Sequence, residues 1–378
     1  MIRHLNALRG LAAIQVLIFH AIAFLIPTVV EHPETTIQYL RFTPLPFLYD
    51  GNFAVCLFFV LSGYVLTAPF TKNIKSPFAV ISSRWIRLAI PSICAVFFGA
   101  ILFSTFPTQA ASLAAELGRT GTPFHLGWWN APRTIIDIFD DAWRQTLFGY
   151  YQTTPLPFGQ RSFTQAYNGA LWTISVEFQG SILVFLLCAC RRWPLVWISA
   201  IVVATNWLGT SYFLPFIAGH IFAVNRVAEV EFPIPSPIIW MAGIGSIALS
   251  IYAPPGALTK LYAAVLFFFA VIQAAGVRAF LSRPWLVGLG RWSFPIYLVH
   301  WPILGFVGPW ICVDVFQSTW LPARLSAAVI CIALSIAAAA PFIRIDEAAV
   351  RLSRHLRDRL MSRSALKYLG YEGRMAND

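Results

Sequence analysis

Three ionisable residues stand within apolar runs of this 378-residue chain and could carry out proton transfer. His20 lies in LRGLAAIQVLIFH, Glu177 in LWTISVEFQGSILVF, and His300 in GRWSFPIYLVHWPIL. Imidazole and carboxylate side chains are the usual general acids and bases. A carboxylate in an apolar environment must be protonated or paired, because an isolated buried charge is costly. The three residues therefore predict a reaction site at membrane depth.

Arginines indicate a second kind of chemistry, the binding of anions. Arg9 precedes His20 by eleven positions, so the two side chains share one helical face and lie about 16 Å apart along it. Arg84 and Arg87 in SRWIRL also share a face, at i and i+3. Guanidinium groups bind phosphate through charge-assisted hydrogen bonds. An interfacial anchor explains Arg9 equally well, and a positive flank of a membrane span explains Arg84 and Arg87.

Composition indicates that membrane-spanning helices must position these residues. Hydrophobic residues make up 58% of the chain and charged residues 11%, less than half the roughly 25% of soluble domains. We predict an all-α polytopic membrane protein with ten spans. The predicted spans are about 8–26, 51–70, 86–106, 168–190, 194–208, 211–225, 237–253, 261–277, 292–312 and 321–343.

The distribution of Lys and Arg predicts that both termini are cytoplasmic. With a cytoplasmic N-terminus and ten spans, 20 of the 27 Lys and Arg residues fall on the cytoplasmic side. This bias also explains the net charge of +11, so nucleic acid is not an expected partner. We divide the chain into a transmembrane domain, 1–345, and a basic cytoplasmic tail, 346–378. In the tail, Leu352, Leu356 and Leu360 recur among arginines, which predicts contact with anionic membrane lipids.

The longest segment between predicted spans, about 107–166, is expected on the outer side. It contains RTIIDIFDDAWRQTLF, Arg133–Phe148, in which apolar residues recur at helical spacing. Its charged residues exclude a span, so we expect an interfacial helix.

Five motifs, in this order, resemble the membrane acyltransferase-3 family of multi-pass O-acyltransferases, which modify cell-surface glycans. They are R-x10-H (Arg9 to His20), LFFVLSGYVL (Leu57–Leu66), R-x-x-R (Arg84 to Arg87), LWTISVEF (Leu171–Phe178) and SFPIYLVHWP (Ser293–Pro302). The resemblance covers about Leu5 to Pro341. Two positions depart from the family pattern. Thr173 stands where serine is common, and Ala348 follows Asp346-Glu347 where a proline often follows the acid.

The resemblance implies an enzyme of the bacterial inner membrane that transfers an acyl group, with acetyl expected, from acyl-CoA to a glycan or lipid-linked sugar. No metal ion is expected. Four aromatic residues of the outer segment are candidates for stacking on the sugar: Trp128, Trp129, Tyr150 and Tyr151. A proton-coupled transporter is the alternative, because intramembrane His and Glu also form proton relays.

The resemblance implies that His20 is catalytic and that Arg9 is essential with it. We expect Glu177 to lie at the depth of His20, to orient its imidazole and to stabilise its charged form. His20 would act as a general base or carry the acyl group itself, and both routes stay open. Arg84 and Arg87 match the arginines linked to acyl-CoA phosphates. The residues expected to bind the donor are Arg9, Arg84, Arg87, Arg291, Ser293, Tyr297 and His300.

Overall fold

The computed structural model describes residues 2–31, 43–70, 77–117, 134–149, 166–207, 212–225, 235–253 and 257–375. Within these ranges the chain forms helices and no strands, as predicted. The α-helices of six or more residues are α1 (Arg3–Leu25), α2 (Gly51–Phe70), α3 (Pro77–Thr105), α4 (Gln109–Glu116), α5 (Ile135–Asp140), α6 (Trp172–Cys190), α7 (Pro194–Trp207), α8 (Leu214–Val224), α9 (Ser236–Tyr252), α10 (Ala257–Gln273), α11 (Ala275–Leu281), α12 (Pro284–Pro302) and α13 (Leu321–Met375).

The helices fall where the apolar runs predict spans, but their lengths differ. In the described part of the chain, α1, α3, α6, α12 and α13 are long and apolar enough to cross a bilayer. Helices α10 and α11 form a sixth candidate, bent by 91° at the break between them. The apolar segments of α2, α7, α8 and α9 contain 10–17 residues, whereas a span needs about 20. The fold is that of an integral membrane protein, and the ten-span count and the orientation stay predictions.

Three helices extend beyond the predicted spans, because hydropathy detects the apolar part of a helix and not its polar turns. Helix α3 begins at Pro77 and α12 at Pro284, and proline is favoured in a first turn. Helix α13 continues without a break to Met375, so the predicted domain boundary at 345 falls inside one helix. Ala348 keeps a backbone hydrogen bond that proline there would remove, although the helix also accommodates Pro341.

A helix forms in segment 107–166 where the interfacial helix is expected. Thr134 and Asp137 make a capping box that begins α5, and a π-helical turn and one further short helix extend it to Phe148. Leu147 is buried, while Phe139 is 57% exposed. Much of segment 107–166 lies outside the described residues, and so do the four aromatic candidates: Trp128, Trp129, Tyr150 and Tyr151.

Helix α1 lies at the centre of the bundle and packs most extensively against α12. Its buried side chains belong to two apolar clusters, one shared with α3, α12 and α13 and one with α2 and α10. Helices α1 and α12 run parallel and approach closely at Gly10 and Gly290. A Cβ atom at Gly290 would lie only 2.5 Å from the Asn6 carbonyl oxygen. Small residues allow this contact between membrane helices, and the contact sets the register that brings His20 beside His300.

Candidate active site

A partly open cavity lies among α1, α2, α6 and α12, with about 490 Å³ of empty space that includes open solvent. It is lined by Arg9, Val55, Phe58, Phe59, Ser62, Thr173, Ile174, Glu177, Ser293, Phe294 and Tyr297. Four residues predicted from the sequence are in this lining: Arg9, Glu177, Ser293 and Tyr297. One charged end and an apolar wall from α2 suit a ligand with an anionic part and a small apolar part.

Glu177 forms an ion pair with Arg84 of α3 at the edge of this cavity. The Arg84 guanidinium donates to Glu177 Oε1, and Arg84 Nε donates to Ser181 Oγ at 3.1 Å. The Ser181 hydroxyl in turn donates to the Glu177 carbonyl oxygen at 2.6 Å, and Ser62 Oγ donates to Glu177 Oε1 at 3.4 Å. The Glu177 carboxylate thus bonds Arg84 and Ser62 and makes no hydrogen bond to His20, and its expected catalytic role stays a prediction. The Arg84 guanidinium reaches the carboxylate from α3 and compensates its buried charge.

Arg9 and Arg87 lie near this ion pair without a salt bridge of their own. Neither side chain makes a hydrogen bond or ion pair with any residue that the structure describes. Both interact electrostatically with Arg84, Glu177 and Asp346. Three guanidinium groups therefore face two carboxylates, and this end of the site carries an excess positive charge. Guanidinium groups in such a setting match the geometry of phosphate oxygens.

His20 and His300 form a hydrogen-bonded pair between α1 and α12. Nδ1 of His20 and Nε2 of His300 are 2.9 Å apart, and the two ring centroids are 4.9 Å apart. His300 is fully buried, whereas His20 is partly exposed. The rings of Phe19 and Trp301 lie against His20, with centroids 5.0 and 4.9 Å away. His20 is therefore the more accessible member of the pair, although it does not itself line the cavity.

The hydrogen bonds determine which nitrogen of each imidazole carries the proton. Nδ1 of His300 lies 2.8 Å from the Tyr297 carbonyl oxygen and 3.1 Å from that of Ile296. A carbonyl oxygen only accepts, so Nδ1 of His300 is protonated and its Nε2 holds a lone pair in the neutral ring. His20 Nδ1–H therefore donates to His300 Nε2. In a neutral His20 the lone pair is then on Nε2, which is the nitrogen suited to accept a proton.

Tyr297 connects the cavity to the histidine pair. Its ring lines the cavity, and its centroid is 5.6 Å from that of His300. The Tyr297 hydroxyl donates to the Ala170 carbonyl oxygen, and the Thr173 hydroxyl, 2.5 Å away, then donates to the Tyr297 oxygen. Serine carries the same hydroxyl, so the departure at Thr173 preserves this bond. These contacts hold the start of α6 against α12.

Four of the residues expected to bind the donor do not line the cavity: Arg84 and Arg87, which lie beside Glu177 and Arg9, and Arg291 and His300, which lie elsewhere. Arg291 forms a salt bridge with Glu347, 2.6 Å between Nη2 and Oε1, and its side chain is 65% exposed. A surface ion pair of this kind contributes little stability. His300 is enclosed and contacts His20 instead. Ser293 donates to the Gly290 carbonyl oxygen at 2.8 Å, within its own helix, while lining the cavity.

Sequence reasoning missed Ser62, Ser181 and Asp346 as parts of the site. Ser62 stands inside the LFFVLSGYVL motif, and Ser181 follows Glu177 by one helical turn. Their position near the only carboxylate within the apolar runs was the available signal. Asp346 was assigned to the tail, although the resemblance had marked Asp346-Glu347 as a motif.

These features define an integral membrane protein of the helical-bundle class, with a charged cavity beside a hydrogen-bonded histidine pair. The family model described as "Acyltransferase domain" (Acyl_transf_3) matches residues 2–340. The chain belongs to this family, and the protein is a membrane-associated acyltransferase. The match does not support the alternative of a transporter. Searches of curated proteins and of solved structures gave no significant match.

Proposed function

We propose that the protein transfers an acyl group, with acetyl expected, from cytoplasmic acyl-CoA to a hydroxyl of a surface or exported glycan or glycolipid. Both termini would be cytoplasmic, so the donor would enter at the end marked by Arg9 and Arg87. The acceptor would enter from the opposite side. One observation carries the proposal: a charged cavity leads from Arg9 to Tyr297, one helical turn from the pair formed by His20 and His300.

The Arg9 end of the cavity, which would face the cytoplasm, supports a phosphate-bearing donor. Acyl-CoA supplies phosphate groups and a reactive thioester carbonyl. Arg9 and Arg87 have no anionic hydrogen-bond partner among the described residues, and phosphate oxygens would satisfy both side chains. The apolar wall that Val55 and Phe58 contribute to the cavity would contact the uncharged part of the donor.

The histidine pair supports proton transfer at the far end. His20 Nε2 would take the proton of the acceptor hydroxyl while the hydroxyl oxygen forms a bond to the thioester carbonyl carbon. The carbon–sulfur bond then breaks, and His20 returns the proton to the departing sulfur. His300 would accept the Nδ1–H bond of His20 and stabilise its charged form during this step. The alternative route, in which Nε2 itself accepts the acyl group, uses the same nitrogen.

The test uses sealed membrane vesicles and radiolabelled acetyl-CoA. Inside-out vesicles that contain the protein should transfer label to their glycan or glycolipid fraction, and right-side-out vesicles should not, because the donor does not cross the membrane. His20→Ala should abolish transfer in inside-out vesicles, a loss of at least 10²-fold for a general base. His355→Ala is the matched control, since His355 is exposed on α13.

Two outcomes would contradict the proposal. Label transfer in right-side-out vesicles alone would place the donor on the wrong side. Near-normal transfer by His20→Ala would remove His20 from the chemistry.

A further inference from the structure

We propose that the two arginines of the R-x-x-R motif have different roles. Arg87, together with Arg9, binds the phosphate groups of the donor. Arg84 is a positioning residue that neutralises Glu177 and does not contact the ligand. This assignment rests on the proposed function, because it takes acyl-CoA as the donor. It departs from the sequence expectation, in which Arg84 and Arg87 act together.

Arg84 already donates hydrogen bonds to other side chains of the protein. Its guanidinium bonds Glu177 and its Nε bonds Ser181. The side chains of Arg84 and Glu177 are only 12% and 23% exposed. A phosphate that displaced Glu177 would leave a largely buried carboxylate without its cation, which is strongly unfavourable. Arg84 therefore retains Glu177 when the ligand binds.

Arg87 differs from Arg84 although it lies only three residues further along α3. It makes no hydrogen bond and no ion pair with the described residues. Arg84 and Arg9 are the like charges that act on it, so a further anion lowers the electrostatic energy of the cluster. Arg9 lines the cavity and is equally unpaired among the described residues. Arg87 and Arg9 therefore both lack an anionic hydrogen-bond partner, whereas Arg84 has one in Glu177.

Asp346 is not a hydrogen-bond partner for Arg9 or Arg87. It interacts electrostatically with Arg87 and Arg9, yet its buried Oδ1 accepts no hydrogen bond within the part of the chain that is described. The guanidinium donors of Arg9 and Arg87 consequently stay available to phosphate oxygens.

The test removes the ion pair as a unit. The double variant Arg84→Gln/Glu177→Gln loses one positive and one negative charge, so the net charge of the site stays the same. Binding of coenzyme A is measured for each variant in phosphatidylcholine nanodiscs, whose lipid carries no net negative charge. Thermal unfolding is measured in parallel. The double variant should bind coenzyme A within about two-fold of wild type, whereas Arg87→Gln should bind about ten-fold or more weakly.

Two control variants separate direct from indirect effects. Arg84→Gln alone should unfold at a lower temperature, because it leaves the largely buried Glu177 carboxylate without its cation. Adding Glu177→Gln to this variant should restore stability. Arg87→Gln/Glu177→Gln should stay as weak in binding as Arg87→Gln. A double variant Arg84→Gln/Glu177→Gln that binds ten-fold more weakly than wild type would make Arg84 a phosphate ligand and overturn the division.

The stability measurement distinguishes this proposal from the proposed function. If the wild-type protein does not bind coenzyme A, the proposed donor is wrong and the role of Arg87 is wrong with it. Restored stability in the double variant would still support the role of Arg84. Unrestored stability would overturn that role.

Discussion

At the scale of single residues, His20 is hydrogen-bonded to a second imidazole, that of His300. Many hydrolases have a carboxylate in the corresponding position. His300 donates to the Tyr297 carbonyl oxygen and accepts from His20. The carboxylate expected for this position, Glu177, is bound to Arg84 instead. The two ionisable systems are therefore separate, one suited to proton transfer and one to charge compensation.

This separation predicts the behaviour of His300 variants. His300→Ala should lower kcat by about 10²-fold, because His20 loses the acceptor that orients it, while the donor KM should change little. Added imidazole should restore part of the activity by occupying the space left by the side chain. The double variant His20→Ala/His300→Ala should be no worse than His20→Ala, since residues that act as a unit lose activity non-additively.

A merely structural role for His300 would give different results. Donor KM and kcat would then change together with stability, and imidazole would have no effect on activity. Near-normal turnover by His300→Ala would show that His20 works without this partner.

At the scale of helices, the close approach of α1 and α12 decides whether the histidines meet. The contact at Gly10 and Gly290 lies about three turns from His20 and His300 along the two parallel helices. A separation introduced at the glycines would tilt or shift the helices and lengthen the 2.9 Å bond between the rings. The geometry of the site thus depends on residues that carry no functional group.

Two glycines of α12 provide a matched comparison for this idea. Gly290→Ala should lower the free energy of unfolding by about 1–3 kcal/mol, since the added methyl group would collide with the Asn6 carbonyl, and kcat should fall. Gly288→Ala should be neutral or slightly stabilising, because nothing lies within 4 Å of a Cβ atom at Gly288 and alanine favours the helix. Activity and thermal unfolding of both variants in detergent would check this. Equal effects of the two substitutions would mean that the close contact does not matter.

The helices themselves could be predicted because long apolar runs without strand-like alternation leave few alternatives in a membrane. Their axial offsets could not. The prediction that Glu177 and His20 lie at one depth depends on loosely defined span ends. A helix rises about 1.5 Å per residue. An error of a few residues in a span end therefore changes which side chains of two neighbouring helices meet. The Arg84–Glu177 pair joins α3 and α6, and no local pattern in either helix encodes that contact.

At the scale of the whole molecule, the number of crossings depends most on α7 and α8, the two shortest of the candidate crossings. With 14 and 11 residues, these helices are about 21 and 17 Å long, against a hydrocarbon core of about 30 Å. Ten crossings require both to span a locally thinned region, with the segment between them on the outer side. Eight crossings would leave both termini on the same side as before.

Cysteine labelling of intact cells would decide between these topologies. In a variant whose native cysteines are replaced by alanine, Asn206→Cys near the end of α7 should react with a membrane-impermeant thiol reagent if ten crossings exist. Ser318→Cys, between α12 and α13, should react as the outer control, and Ser364→Cys in the predicted tail should react only after permeabilisation. Protection of Asn206→Cys in intact cells would contradict the ten-span prediction.

A hydrogen-bonded pair of imidazoles at the transfer point, as His20 and His300 form, has a consequence for the energetics of the proposed transfer. The donor's negative charges would stay beside Arg9 and Arg87. For each acyl group that moves outward, the proton of the acceptor hydroxyl would move inward and leave on the thiol. The exchange carries no net charge across the bilayer. A membrane voltage, which contributes about 2.3 kcal/mol per elementary charge per 100 mV, would therefore neither drive nor oppose the reaction, and the thioester bond would supply its whole driving force.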